Sequence, residues 1–195
     1  MTIGFDSVKV GRVLLVLLAH ASLPGLVWGQ GLRLVPQVGH LKGVISASFS
    51  PDGKQVLTAS LDNSAKIWEA ASGKLLLSLV GQKDMLSTAT FSQDGTRVVT
   101  ASADNTAIVS DVASGRLLAT LSGHEDRVLT ASLSPDGQRV VTASADKTAV
   151  VWDVSSGKKL LTLSGHEDGV SSASFSPDGK QIVTASEDRT ARIWD

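Results

Sequence analysis

An internal repeat of 42 residues constrains this chain more than any other feature. A Gly-His or Gly-Gln step begins at residues 39, 81, 123 and 165, so that each unit starts 42 residues after the last. Aligning residues 123–153 with 165–195 gives 20 identities in 31 positions. Repeats of this length indicate an array in which each unit packs against its neighbours. One unit, repeated four times, therefore defines the fold.

The residues of one unit favour β-structure throughout. Strands are predicted at 170–175, 181–185 and 190–194, where small, β-branched and apolar residues alternate. The segment Ser176-Pro177-Asp178-Gly179 predicts a tight turn between the first two strands. A fourth strand at 159–163 precedes the step at residue 165. Four-stranded sheets of this kind bury both faces when they pack radially around an axis.

The order of Gly-His, Phe-Ser-Pro-Asp-Gly, a turn Asp and Trp-Asp resembles the WD-repeat β-propeller family. The predicted fold class is all-β, a β-propeller of four-stranded antiparallel blades with four WD-type repeats. The repeats are 39–80, 81–122, 123–164 and 165–195, within a domain of residues 30–195. Residues 31–38 occupy the phase of an outer fourth strand, and no strand follows Asp195, so the N-terminal strand is expected to complete the last sheet.

The resemblance implies a buried hydrogen-bonded tetrad of His, Ser/Thr, Asp and Trp in each blade. The second repeat departs from this pattern, with Gln82 in place of His and Ser110 in place of Trp, and we expect that blade to be the least stable. The remaining tetrad positions are His40, Thr58, Asp62, Trp68, Thr100, Asp104, His124, Thr142, Asp146, Trp152, His166, Thr184, Asp188 and Trp194.

The same periodicity argues against catalysis. Every histidine after residue 29 lies on the repeat phase, so a His–Asp pair is interpreted as part of the fold. The Asp of each Ser-x-Asp-Gly turn is likewise a turn former. No nucleophile elbow, phosphate loop or zinc motif occurs. We therefore expect no enzymatic activity, no cofactor and no metal.

Composition limits the partners. The net charge is -1, which gives no electrostatic reason to expect nucleic acid or an anionic membrane, and cysteine is absent. The resemblance implies a protein-binding scaffold whose contacts lie in loops at one face. The expected contact residues are Leu61, Lys83, Met85, Glu125, Arg127, Leu129, Glu167 and Glu187. The acidic pairs Glu125-Asp126 and Glu167-Asp168 fit either a solvated loop or a site for a cation or basic peptide.

Residues 1–29 differ in character from the repeats. Lys9 and Arg12 precede the apolar run 13–19, and small residues follow, which is the layout of a secretory signal peptide. An uncleaved anchor and an irrelevant extension are the alternatives. A cleaved signal predicts a secreted or periplasmic protein, and its absence a cytoplasmic one.

The number of repeats leaves the ring open to three interpretations. Propellers typically contain four to eight blades. The chain is thus half of an eight-bladed homodimer, a closed four-bladed ring, or an incomplete ring from a longer array. The last interpretation includes a truncated or vestigial propeller with no partner of its own, and an enzyme with an axial site is a weaker alternative.

Overall fold

The computed structural model describes residues 39–195, where all the regular structure is β-strand and no helix occurs. The predicted leader at 1–29 and the predicted outer strand at 31–38 lie outside the described residues. In chain order the strands are β1 (Val44–Phe49), β2 (Gln55–Ser60), β3 (Ala65–Glu69), β4 (Leu75–Leu79), β5 (Leu86–Phe91), β6 (Arg97–Ser102), β7 (Thr106–Asp111), β8 (Leu117–Ser122), β9 (Val128–Leu133), β10 (Arg139–Ser144), β11 (Ala149–Asp153), β12 (Lys159–Leu163), β13 (Val170–Phe175), β14 (Ile182–Ser186) and β15 (Ala191–Trp194).

The strands form four antiparallel sheets, each built from one repeat. Sheet 1 contains β1–β4, sheet 2 contains β5–β8, sheet 3 contains β9–β12, and sheet 4 contains β13–β15. Within every sheet the spatial order is the chain order, so all connections are hairpins. A register shift recurs at the start of the first pair, for example between Val44 and Ser46. These sheets confirm the predicted all-β class with WD-type blades.

Each predicted Ser-x-Asp-Gly segment forms the turn between the first and second strands. In sheet 1 the Ser50 hydroxyl donates to Asp52 at 2.6 Å, and the Gly53 N–H donates to the Ser50 carbonyl at 2.9 Å. Gly53 has a φ of 70°, in the left-handed region that favours glycine. The turn residues therefore fix where the first strand reverses.

The core lies between consecutive sheets. Leu57, Ile67 and Leu79 of sheet 1 pack against Leu86 and Val98 of sheet 2, and all five are buried. Equivalent residues pack sheet 2 on sheet 3 and sheet 3 on sheet 4. Each buried aliphatic side chain contributes about 1.5–3 kcal/mol, so these contacts provide most of the stabilisation.

Every sheet has two different faces, which we call leading and trailing. The leading face is turned toward the preceding sheet in the chain, and the trailing face toward the next one. Within the described residues, each sheet packs on the next one along the chain and the ring is not closed. The leading face of sheet 1 and the trailing face of sheet 4 therefore expose apolar side chains, among them Phe49 and Ile193.

Candidate functional site

The antiparallel strands place alternate connections at the same edge of each sheet. The loop before the first strand shares an edge with the turn between the second and third strands. We call this edge, summed over the four sheets, the upper rim, and the opposite edge the lower edge. The upper rim comprises residues 39–43, 61–64, 81–85, 103–105, 123–127, 145–148, 165–169 and 187–190.

His40 joins the two rim segments of sheet 1. Its Nδ1 lies 2.9 Å from Asp62 Oδ2 and its Nε2 lies 2.8 Å from Thr58 Oγ1. The indole N–H of Trp68 donates to the same hydroxyl at 2.8 Å. A proton on Nδ1 donates to the carboxylate, and the Thr58 hydroxyl then donates to Nε2, which satisfies every member. Both imidazole nitrogens are thereby engaged.

Sheets 3 and 4 repeat this arrangement. In the order imidazole to carboxylate, imidazole to hydroxyl and indole to hydroxyl, the distances are 2.6, 2.7 and 2.8 Å for His124, Asp146, Thr142 and Trp152. They are 2.7, 2.8 and 3.0 Å for His166, Asp188, Thr184 and Trp194. Three sheets thus bring together all four residue types that the resemblance implies.

Burial and hydrogen bonding set the charge of these groups. Burial raises the pKa of Asp146, but hydrogen bonds from Thr148, His124 and the Glu125 N–H outweigh it and lower the pKa below its usual value. The pKa of Asp62 is lowered by similar bonds, also against the effect of burial. Burial lowers the pKa of His124, although Asp146 opposes this. At neutral pH the pair is therefore a neutral imidazole beside a carboxylate.

The tetrad carboxylates also fix the rim backbone. Asp62 Oδ2 accepts the Leu41 N–H at 2.8 Å, so one carboxylate holds the loop and the turn together. A backbone bond from Leu61 to the Gly43 carbonyl, at 2.9 Å, joins the same two segments. The equivalent bonds occur in the other three sheets. Side chains on the rim consequently project from a rigid support.

Gln82 takes over much of the histidine's role in sheet 2. In the amide orientation that satisfies its neighbours, its oxygen accepts from Thr100 Oγ1 at 3.1 Å and its nitrogen donates to Asp104 Oδ2 at 3.1 Å. This is the same bridge, with the same polarity, that histidine makes between hydroxyl and carboxylate. Sheet 2 therefore keeps the bridge between hydroxyl and carboxylate without a histidine.

Ile108 compensates for the missing indole. In sheet 1 the Trp68 ring covers Gly39, with its Cη2 3.2 Å from where a Cβ would lie. In sheet 2 the Ile108 Cδ1 lies 3.2 Å from the same point on Gly81. A void of about 10 Å³ remains beside Ser110. The sequence pattern showed Ser110 but not this replacement, since Ile108 lies on the strand two positions earlier.

Side chains at one turn position connect neighbouring sheets. Asn63, Asn105 and Lys147 occupy this position with φ between 67° and 73°. Their side-chain nitrogens donate to the carbonyls of Lys83, Glu125 and Glu167 in the next sheet, at 3.4, 3.3 and 3.0 Å. Sequence analysis missed these donors, and only their shared repeat phase with Arg189 could have pointed to them.

Most of the expected contact residues lie on the upper rim. Lys83, Met85, Glu125, Arg127, Glu167 and Glu187 are exposed there, whereas Leu61 is half-buried. Leu129 lies in β9 and is also half-buried, so it is not on the rim. Leu41, which sequence reasoning did not select, is 92% exposed at the phase of Lys83 and Glu125.

Four sheets of this topology, with a tetrad at each intact rim, define a β-propeller repeat protein. The family described as "WD domain, G-beta repeat" matches residues 33–69, 73–111, 115–153 and 157–195. The chain therefore belongs to the WD-repeat family. Repeats of this family generally mediate protein–protein interaction or scaffolding, and its members are typically non-catalytic.

The curated relatives are similar over short segments. Ribosome assembly protein 4 of Saccharomyces cerevisiae is 47% identical over 38 residues, which is 20% of this chain and 7% of that protein. Periodic tryptophan protein 2 of the same yeast is 32% identical over 71 residues, or 36% and 7% of the two chains. A WD repeat-containing protein of Synechocystis sp. is 42% identical over 50 residues, or 25% and 14%. The matches span 7–14% of the relatives' lengths.

Two further observations apply to residues 39–195 alone. No helix there is long and apolar enough to cross a bilayer. No group of three or more His, Asp or Glu side chains in that range is arranged to hold a metal ion.

Proposed function

We propose that this chain is a non-catalytic scaffold that binds a protein or peptide through its upper rim. The observation that supports this most is the combination of a fixed rim backbone and exposed side chains of varied chemistry. The tetrad carboxylates hold loop and turn together in every intact sheet. Loops on a rigid scaffold present contact groups without a large loss of conformational entropy on binding.

The geometry of the His–Asp pairs supports a structural rather than catalytic role. A general base must reach a substrate proton with a free lone pair. In His124 one nitrogen bonds Asp146, the other bonds Thr142, and the imidazole is buried. We therefore propose that the chain has no enzymatic activity of its own and uses no cofactor or metal.

The rim charges indicate what kind of partner fits. Glu125, Asp126, Glu167 and Asp168 are exposed on the rims of sheets 3 and 4. Exposed Met85 adds an apolar contact on sheet 2. A partner segment with basic and apolar residues complements this surface, whereas nucleic acid, which is polyanionic, does not. A second copy of this chain, forming a homodimer, is a further proposed partner.

We place the partner outside the cytoplasm if the leader is a cleaved signal peptide, and in the cytoplasm otherwise. The layout of residues 1–29 favours the former, with a secreted or periplasmic protein. We propose that the chain attaches to a membrane only if the leader stays uncleaved and anchors it.

Paired rim and lower-edge variants test the rim. Glu125→Gln/Glu167→Gln removes two exposed negative charges from the upper rim, and Glu69→Gln/Asp195→Asn removes two from the lower edge. Affinity capture from the cell fraction that contains the protein, quantified by mass spectrometry, compares both with the unchanged chain. We expect a partner that the rim variant loses and the lower-edge variant retains.

Other outcomes contradict the proposal. A partner lost equally with both variants would place binding elsewhere. The absence of any captured partner would favour the alternative of a truncated or vestigial propeller. Turnover that disappears with His124→Ala, at an unchanged melting temperature, would favour an enzyme.

A further inference from the structure

The same interface recurs three times along the chain. At one trailing-face position Leu57, Val99 and Val141 are all completely buried by the next sheet. At the leading-face position Leu86, Val128 and Val170 are at most 1% exposed. Apolar residues of similar size at matching positions make each junction equivalent to the other two.

Within residues 39–195, no other sheet covers the trailing face of sheet 4, which carries similar residues at the same positions. Val183 occupies the position of Val141 and is 44% exposed. Ile193 occupies the position of Val151 and is 70% exposed, whereas Val151 is 4% exposed. Ala185 and Ala191 on this face are exposed as well. Half of a junction is therefore present and unoccupied.

The leading face of sheet 1 is the other half. Val44 occupies the position of Val170 and is 49% exposed, while Val170 is fully buried. Phe49 is 68% exposed, and its counterpart Phe175 packs into the core between sheets 3 and 4. The two uncovered faces thus match the two sides of the internal junctions.

Two further details of these faces show the same complementarity. Gly179 lies under Pro135 of the preceding sheet, 3.4 Å from the nearest proline carbon to a Cβ position, whereas Gly53 has no neighbour within 4 Å. At the rim, Arg189 adopts the φ of Lys147, which donates across to the next sheet. A sheet 1 placed against sheet 4 would receive Pro177 over Gly53 and Arg189 toward the Leu41 carbonyl.

We propose that the trailing face of sheet 4 binds the leading face of sheet 1 in a second copy of this chain. Two such junctions, related by a twofold axis, join two copies into one assembly of eight sheets, within the range of propellers. The occupant is a second copy because the leading face of its sheet 1 carries apolar residues at the positions that cover a trailing face in the internal junctions. This interface is separate from the upper rim, so either proposal can fail without the other.

Complementary single substitutions test the junction in the full chain. Ile193→Asp places a charge on the trailing face, and Phe49→Asp places one on the leading face. Both side chains are already exposed within one copy, so neither charge enters that copy's own core. Leu160→Asp, at an exposed position on the outer strand of sheet 3, is the matched control. Sedimentation and native mass spectrometry give the mass, and circular dichroism verifies the fold.

We expect the unchanged chain and Leu160→Asp to be dimers. Each face variant alone should be monomeric, with association weakened at least about 100-fold by an unpaired buried carboxylate. Mixing Ile193→Asp with Phe49→Asp should restore a one-to-one pair, since one intact trailing face and one intact leading face remain. A monomeric unchanged chain, an assembly other than two copies, a dimer that survives either substitution, or a mixture that stays monomeric would overturn the proposal.

Discussion

The tetrad of His124, Asp146, Thr142 and Trp152 connects the rim to the interior through single side chains. Its histidine is neutral because burial lowers the pKa, and its carboxylate is charged because several donors surround it. A network of this kind is stable only while every donor keeps its acceptor. Proton uptake by the histidine or the carboxylate therefore destabilises the tetrad.

We expect acid to destabilise the chain in two separate ranges of pH. The folded pKa of His124 is lower than its unfolded value of about 6.5, so the unfolded state binds more protons and stability falls as pH drops below about 6.5. The lowered pKa of Asp146 has the same sign but acts only below about pH 4. Melting temperatures from pH 7 to pH 3 measure both.

The chain itself suggests the control for the histidine effect. His124→Gln copies Gln82, which bridges the equivalent hydroxyl and carboxylate in sheet 2 without titrating. This variant should lose less melting temperature between pH 7 and pH 5 than the unchanged chain. An identical decline in the two proteins would show that protonation of His124 does not drive acid unfolding.

Residues whose identity recurs from repeat to repeat were more predictable than residues whose identity changes. The pairing of His40 with Asp62 was implied by the resemblance to the WD-repeat family, whose tetrad includes both positions. The replacement of the indole by Ile108 was not predictable, because it depends on how far a side chain reaches across the glycine of the same sheet. The donors at Asn63 and Asn105 depend on the spacing between sheets, which no single repeat encodes.

At the level of elements, sheet 2 is where the four repeats differ most. Ser110 buries far less apolar surface than a tryptophan, although it is itself buried. Truncating a buried tryptophan to alanine costs about 3–5 kcal/mol. Gln82 and Ile108 recover part of this free energy. We therefore expect the loss of stability in sheet 2 to be smaller than the cost of truncating a buried tryptophan.

Hydrogen exchange should show residues 81–111 opening before residues 123–153. The reason is the weaker packing at Ser110, and local opening follows local stability. Both segments belong to one molecule, so buffer and concentration affect them equally. Equal protection of the two segments would mean that the strands and turns stabilise a sheet without an intact tetrad.

Repair of sheet 2 has to include Ile108, because the remaining void is too small for an indole. Gln82→His/Ile108→Val/Ser110→Trp recreates the residues of sheet 3 and should raise protection of residues 98–111. Gln82→His/Ser110→Trp with Ile108 retained should overpack the site and lower stability by about 1–3 kcal/mol.

Strand positions were predictable because the alternation and the turn residues act locally. The strand expected at 170–175 is β13, and the one expected at 159–163 is β12. The one expected at 181–185 begins one residue later, at Ile182, which pairs with Trp194, the last residue of β15. This boundary therefore depends on where the partner strand ends.

At the level of the whole molecule, we propose that residues 1–29 determine the compartment. We expect this leader to be removed during export, because Lys9 and Arg12 precede a short apolar run. N-terminal sequencing of the protein from separated cell fractions measures this. A cytosolic protein that still begins at Met1 would contradict it.

The closure of the ring could not be deduced from the repeats, which left three arrangements open. Counting blades gives no information about which faces touch. The exposure of Val44 and Ile193 identifies two uncovered faces, since the equivalent positions in the other sheets are buried. The three arrangements therefore differ in what covers the leading face of sheet 1 and the trailing face of sheet 4, which is a property of the assembled molecule.

The equivalence of the three internal junctions has a consequence for the folding chain. The trailing face of sheet 1 offers the same apolar positions to the leading faces of sheets 2, 3 and 4. Docking onto the wrong sheet leaves a unit looped out, and doubling the loop length costs only about 0.6 kcal/mol. Because the junctions carry similar apolar residues, side-chain shape also discriminates little between native and off-register docking. Off-register docking therefore competes with native docking, and an early docking error has to be undone before folding can finish.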